Sequence, residues 1–550
     1  MTGVIEKMRD WNFLKFMDIK KLKTVAVSTT AFMLAAYMYV YTNGVFLYDT
    51  AEFYRGTEPF GFGSDKWVAP LLGLLDMHIN EPWLAGVWAI LLMIASVYLI
   101  VDILEVESVW GICLIAGLCS TQSSMICQQR YSGGQYTGEA ALLFACLAAW
   151  IFLKSKMGAL WKVLFSAACI VISCGIYGAF ISMTPSLMIL SIIMDIVYKG
   201  KSAKETWKKA VCSAGQFILG MISYYAILRA GLHKSGAQLD SYMGEDSLQS
   251  VQGVVAKHNY ILEAYERIIR YYLGRVPVPY LPDNLERMAL ISLLIGCGIS
   301  LVTFLRYRKK IADFKYNLIL LLALLAVLPL SLNLIYVFAS GEVHYLMIFT
   351  YVLPYVFFVK VMEKAVCDKE GWTTGYLLGN LYKIALCVFV YYSVVLANAA
   401  TTNWCDMYET ARSIGTRVLD RIESCEGFDG TETIYLAGGM QYNDYFGVPE
   451  QEAEILDADL GLGYPNLTTG FDHMFLTKIM HSEMRYDLNG TVEELVGELR
   501  EKGVEEDIVE QVSKMPAFPY DGSVQKIGDN IYVIISTDEM RKEYGEKYGS

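Results

Sequence analysis

Two carboxylates three positions apart, Asp49 and Glu52, stand with Arg55 in the stretch Leu47-Tyr-Asp-Thr-Ala-Glu-Phe-Tyr-Arg-Gly56, and Asp65, Lys66 and Trp67 follow shortly after. On a helical turn the first two acids face the same way. A carboxylate beside a cation is what a general base requires. The pair could also hold a divalent cation such as Mg or Mn, although two carboxylates alone do not specify one. The other reading of Asp49-Thr-Ala-Glu52 is a capping box that closes the start of a short helix. In Asp65-Lys66-Trp67, a flat indole and a nearby cation suit a sugar ring and a phosphate. The alternatives there are a Trp anchored at a membrane boundary and an Asp that caps the next helix.

Three further places carry candidate groups. In Gln128-Gln-Arg-Tyr-Ser-Gly-Gly-Gln-Tyr136, Arg130 can pair with a lipid phosphate by a two-pronged contact, with Tyr131 beside it. The alternative is an Arg that snorkels to an interface. Tyr177, in Gly175-Ile-Tyr-Gly-Ala-Phe180, is a sugar-contact candidate or an aromatic-belt residue. His344, followed by Tyr345, is a phosphate or acceptor contact or a structural histidine. The chain holds 6 His with no paired spacing, so a zinc site is not supported.

The elements that must position these groups are membrane helices. Of the 550 residues 54% are hydrophobic and only 19% charged. Apolar runs of about 20 residues, long enough to cross hydrocarbon, fall near 24–43, 84–103, 109–127, 137–154, 159–178, 180–198, 210–230, 288–305, 317–338, 345–363 and 381–400. Lys7, Arg9, Lys15, Lys20, Lys21 and Lys23 precede the first run, with no small-residue cleavage site behind it, so residues 1–23 read as a cytoplasmic N-terminal segment and the run as an anchor. Alternation from there puts the basic loops inside: Lys154 to Lys162, Lys199 to Lys209, Arg306 to Lys315 and Lys360 to Lys369. The fold class expected is an α-helical polytopic membrane protein of about eleven transmembrane helices over 24–400, with outer loops 44–83 and 232–286. Residues 401–550 form an extracytoplasmic α/β domain.

Within the first outer loop, Val68 to Asp76 is apolar but too short to span, which suits an interfacial or re-entrant helix. The second reads as helical from about Ser247 to Leu273, an aromatic and basic platform carrying Tyr260, Tyr265, Arg267, Arg270, Tyr271 and Tyr272. In the last region, Thr431 to Gly439 reads as a strand entering a glycine turn, Val492 to Glu501 as an amphipathic helix, and Ile527 to Ile535 as a turn and a buried strand. Cys405 and Cys425 fall in that region, and spacing alone does not establish a disulfide between them.

These features exclude several functions. A net charge of −12 argues against nucleic acid as a partner. The inner loops are too short for a cytoplasmic nucleotide-binding domain, and no P-loop or glycine fingerprint is present. A transporter of glycans or lipid-linked sugars is the rival class, but it should carry polar groups at mid-membrane, whereas most here lie at the outer ends of the runs.

The outer acidic loop after the first run, followed by a Trp-containing segment entering a short helix, is similar to the serotype-converting, O-antigen-type glucosyltransferases of the Gtr type II family. Ile176-Tyr-Gly-Ala-Phe-Ile-Ser182 also resembles that family, as do Met515-Pro-Ala-Phe-Pro-Tyr-Asp-Gly-Ser-Val524 and Ile527-Gly-Asp-Asn-Ile-Tyr-Val533. The resemblance implies a GT-C fold in the cell membrane that transfers a hexose, typically glucose, from a polyprenyl-phosphate carrier to a cell-surface glycan on the outer face. Partners would be membrane lipids and the enzymes that make and flip the donor lipid. By that analogy Asp49 takes the place of the catalytic acid, with the second carboxylate displaced to Glu52. Arg55, Lys66 or Arg130 would face the donor phosphate, because this chain reads Trp67-Val-Ala-Pro where the family commonly carries an Arg.

Overall fold

The computed structural model describes residues 18–46, 61–75, 77–131, 134–239, 241, 250–273, 283–341, 343–367, 373–440, 443 and 475–548. Asp49, Glu52 and Arg55 lie outside the described residues. Helices dominate up to residue 423: α1 Ile19–Thr42, α2 Pro82–Ile103, α3 Val109–Thr121, α4 Ser123–Gln129, α5 Tyr136–Lys154, α6 Ala159–Ile176, α7 Met183–Val197, α8 Ala203–Ser235, α9 Ile261–Tyr272, α10 Asp283–Tyr307, α11 Phe314–Leu332, α12 Leu353–Cys367 and α13 Thr373–Glu423. Among the described residues 9 helices are long and apolar enough to cross a membrane, or up to 10 if the bent pair α3 and α4 is one span. Large apolar side chains stay exposed along their outer faces, among them Val211, Ile218 and Ile222 of α8, Leu294 and Leu301 of α10, and Ile319 and Leu322 of α11. Contiguous exposure of this kind marks a surface meant for an apolar medium rather than water.

Two of the apolar runs fold less simply than a single span. The run at 109–127 breaks at Gln122, whose extended backbone (φ −66°, ψ 156°) turns α4 by 52° from α3. The run at 345–363 begins as two 3-10 turns, Tyr345–Met347 and Phe349–Val352, and only then becomes the 15-residue α12. The short apolar stretch expected as an interfacial helix is one α-turn, Ala69–Leu72, and a 3-10 turn, Gly73–Leu75, with Leu71 and Leu74 exposed. In the aromatic platform, a 3-10 turn Lys257–Tyr260 leads into α9. Its tyrosines turn inward. Tyr271 lies 4.7 Å from the Tyr351 ring and the Tyr272 hydroxyl donates to the Tyr351 carbonyl at 2.8 Å.

The ends of α8 show why the chain starts and stops helices where it does. Ser202 and Glu205 form a reciprocal capping box at its start, and Gly236, at φ +71°, closes it in the left-handed conformation that glycine adopts without strain. The last helix before the sheet, α13, is continuous over 51 residues. Its first half packs in the main core, through Tyr382, Leu386, Ala397 and Trp404, and its last turns pack in a second core through Ala411, Ile414, Val418 and Ile422.

That second core belongs to a four-stranded sheet of β1 Thr433–Ala437, β2 Arg485–Asn489, β3 Val524–Ile527 and β4 Asn530–Ile534, in spatial order β2-β1-β4-β3. β1 is parallel to β2 and to β4, and β3 is antiparallel to β4. The strands alternate with period two. Ile434, Leu436, Ile531 and Val533 face α13, while Tyr435, Ala437, Tyr532 and Ile534 face α14 Val492–Glu501 and α15 Glu506–Ser513, and α16 Asp538–Tyr548 follows the last strand. Both faces of the central strands are therefore apolar, as burial on two sides requires. Arg421, near the end of α13, locks the 515–524 segment in place. Its guanidinium donates to the Pro519 carbonyl at 2.7 Å and to Ser523 Oγ at 3.1 Å, and lies 4.8 Å from the Phe518 ring centroid. Cys405 and Cys425 are both free thiols. Cys405 lies 18 residues, about 27 Å, before the end of α13 at Glu423 and Cys425 follows that end, so they are far beyond disulfide reach.

Candidate functional site

The segment after residue 60 folds as a tight turn wedged between α6 and α8. Phe62 packs over Gly231 of α8, where a Cβ would come within 2.0 Å of its ring. The Val68 amide donates to the Gly175 carbonyl of α6 at 2.7 Å, and a Cβ on Gly175 would lie 2.6 Å from Val68 and 3.0 Å from Trp67. These two glycines are what lets the turn approach both helices. Trp67 stacks on Phe62, ring centroids 5.5 Å apart, so one indole face is already covered. Its Nε1–H is buried with no acceptor among the described residues. Lys66 Nζ lies 5.7 Å from the Tyr177 ring centroid, which places ammonium and aromatic face in cation–π range.

Asp65 has a backbone φ of +55°, a conformation that costs a non-glycine residue on the order of 1 kcal/mol. Its Oδ2 accepts a hydrogen bond from the Tyr224 hydroxyl of α8 at 3.1 Å. Asp65 keeps some accessible area although protein crowds it closely. Loss of hydration pushes its carboxyl up to about 6, against the opposing pull of Lys66, the Tyr224 hydrogen bond and Lys257. Lys257 is itself buried, its ammonium donating to the Phe338 carbonyl and to Ser340 Oγ at 3.0 Å.

A second group lies on α4, α5 and the turn before α12. Arg130 is buried, its Nη2 donates to the Tyr131 hydroxyl at 3.2 Å, and its guanidinium stands 5.0 Å from that ring centroid. Ser124 Oγ at 2.9 Å and Gln128 Nε2 at 3.1 Å both donate to the Leu346 carbonyl, which fixes the 3-10 turn that His344 precedes. Beneath Arg130, the Tyr41 hydroxyl of α1 donates to Gln129 Oε1 at 2.7 Å, and Gln129 Nε2 donates to Glu139 of α5. Glu139 is fully buried, and its second oxygen has no partner among the described residues.

The sequence candidates thus fall into two neighbouring groups. Asp65, Lys66, Trp67 and Tyr177 come together directly, while Arg130, Tyr131 and His344 gather on α4 and the turn it holds. The groups are linked by the Tyr136 hydroxyl of α5, 3.4 Å from the Leu72 carbonyl, and by Phe180, whose ring packs against both Tyr177 and Phe349. Tyr224 and Lys257 were not singled out from sequence. Tyr224 is hidden in an apolar run, and Lys257 reads as one more cation of the aromatic platform. Among the described residues no group of three or more His, Cys, Asp and Glu could hold a metal ion.

Fold and site together define a helical protein with 9 or 10 candidate membrane spans among the described residues and with acids, cations and aromatic rings gathered at one end of its bundle. A model of the Glucosyl transferase GtrII family matches residues 38–358, more than half of the chain, and the chain belongs to that family. It is accordingly a glucosyltransferase. The match takes in both groups of the site and ends before the C-terminal sheet. No curated protein matches the chain.

Proposed function

We propose that the protein moves a hexose, glucose by its family, from a polyprenyl-phosphate carrier to a cell-surface glycan on the outer face of the membrane. The observation that carries this reading is the segregation of charge along the bundle. Lys154, Lys199, Lys201 and Lys209 gather at one end, which the preference of short basic loops for the cytoplasm makes the inner end. The Asp65 turn, at the other end, is then reached by a sugar already carried across on lipid. In this reading the GT-C helices hold the donor, the domain from residue 401 onward stands outside, and separate enzymes charge and flip the donor lipid.

The chemistry assigned to the chain's own groups is general-base catalysis with stabilisation of the leaving phosphate. Asp49 deprotonates the acceptor hydroxyl. Glu52 is its second carboxylate, and the two together are where a Mg or Mn ion would bind. Arg55, Lys66 and Arg130 are the cations for the phosphate, with Asp65, Trp67, Tyr131, Tyr177 and His344 around the sugar and its carrier.

Purified protein in vesicles should transfer glucose from a polyprenyl-phosphate-glucose to a glycan acceptor and leave UDP-glucose untouched. Transfer from UDP-glucose by the pure protein would overturn the lipid-donor mechanism. Movement of intact lipid-linked sugar between leaflets without transfer would make it a transporter instead.

A further inference from the structure

The Asp65 turn combines features that a purely structural turn does not need. Its backbone is held in the left-handed region by packing from α6 and α8. Among the described residues Asp65 has no ion pair, and the one hydrogen bond to its carboxylate comes from Tyr224, a buried phenol in the wall of a membrane helix. That bond engages Oδ2. No donor reaches Oδ1 among the described residues, and Asp65 keeps accessible area. Lys66 and Trp67 follow in the chain, and the Lys66 ammonium stands over the Tyr177 ring. A carboxylate with one oxygen tethered and the other open has a fixed direction of acceptance, which is how a protein selects a hydroxyl rather than merely neutralising a charge. Backbone strain maintained by surrounding packing is the further sign that the direction matters.

We propose that Tyr224 is a positioning residue, holding Asp65 so that Oδ1 accepts a hydrogen bond from a hydroxyl of the lipid-linked hexose. This rests on the donor reading above and deepens it. Asp65 makes the contact, and Tyr224 acts only through Asp65.

The test uses the purified full-length protein and polyprenyl-phosphate-glucose, with initial rates for wild type, Tyr224→Phe, Asp65→Asn and the double variant. Tyr224→Phe should raise KM for the lipid donor about tenfold, the scale of one hydrogen bond to a charged group, with kcat little changed. Asp65→Asn should raise it at least as much, and the double variant should match Asp65→Asn alone.

The pH profile gives an independent readout. The groups that face the turn are Lys66, Cys174 and Tyr177 around the end of α6, Tyr224 of α8, and Lys257. Burial places the Asp65 limb near 6, and it is told from any limb set by His344, the other titratable group placed at the sugar, by persisting in His344→Gln. In wild type kcat/KM should rise with pH through that limb as the carboxyl ionises. In Tyr224→Phe the limb should move to higher pH, because a bond favouring the charged form is gone. In Asp65→Asn it should vanish.

Wild-type protein that ignores the lipid donor would overturn the donor reading itself. Wild-type protein that uses it while Tyr224→Phe keeps the same KM and limb, or while the two single effects multiply in the double variant, would overturn the role of Tyr224 alone. If Tyr224→Phe cannot be purified folded, Asp65→Asn decides: an unchanged KM and limb sinks the proposal, and loss of the limb with a raised KM upholds the Asp65 contact.

Discussion

Near the end of α7, Asp195 is surrounded by three ammonium groups, Lys199 at 3.0 Å, Lys201 at 2.9 Å and Lys209 of α8 at 2.7 Å, and is wholly buried beneath them. Fifteen residues beyond Lys209 along α8, about 22 Å, Tyr224 offers Asp65 one phenol, and among the described residues no cation stands within ion-pair distance of it. Glu105 repeats the first pattern. Partial burial works against its charge, yet hydrogen bonds from Lys154 and Lys199 hold its carboxyl down to about 2. Glu139 repeats the second: among the described residues its carboxylate takes one hydrogen bond, from Gln129. The lysine-rich end has acids engaged in ion pairs that tie loops together. The opposite end has acids with capacity left over, and unused hydrogen-bonding capacity in a buried place is where a ligand finds something to bind.

The comparison can be sharpened by asking which end governs rate and which governs stability. The largest effect should come from Asp49→Asn in the loop after α1: as the proposed base, its loss should lower turnover by about 10² to 10⁴ without changing the amount of folded protein. Near-normal turnover by the folded variant would remove Asp49 from the mechanism.

Next comes Asp195→Asn, which leaves three lysines facing one another. Breaking a buried pair costs several kcal/mol, but these lysines are partly exposed and screened, so a loss of about 2 kcal/mol is expected. It should appear in thermal unfolding in detergent, with turnover per folded molecule retained. A loss of turnover at unchanged stability would erase the distinction between the two ends.

The smallest effect should be that of Lys199→Met. The side chain is 32% exposed, and Asp195 keeps Lys201 and Lys209, so less than about 1 kcal/mol should be lost in the same unfolding measurement.

Most spans were legible because a helix in hydrocarbon must be continuously apolar for its whole length. The break at Gln122 was not, although Ser120-Thr-Gln-Ser-Ser124 is polar, because hydropathy averaged over 109–127 hides five small or uncharged polar residues among apolar neighbours. Nor was the turn structure ahead of α12, because hydropathy sums do not distinguish a 3-10 turn from the helix it enters. In the C-terminal region, the short continuous apolar runs Ile434 to Ala437 and Ile531 to Ile534 revealed both central strands. The edge strands, Arg485–Asn489 and Val524–Ile527, carry too many polar residues to stand out. Asp65, Lys66, Trp67 and Tyr177 could be nominated by type, as charged and aromatic groups beside apolar runs. The positive φ of Asp65 and its bond to Tyr224 are products of tertiary packing by Gly175 and Gly231, and no local pattern encodes them.

The continuous helix α13 has a mechanical consequence. At 51 residues it is a rod of about 76 Å, gripped at one end by the spans and at the other by the sheet, through Arg421 and the Ile414 face. No swivel separates the two grips, so the sheet is indexed to the bundle as a key is to its shaft. One residue inserted in the helix between Trp404 and Ala411 would turn the whole C-terminal unit by about 100° and lift it by about 1.5 Å, whereas four would bring it back almost to phase one turn further out. Where that unit stands relative to the bundle is set by helical pitch.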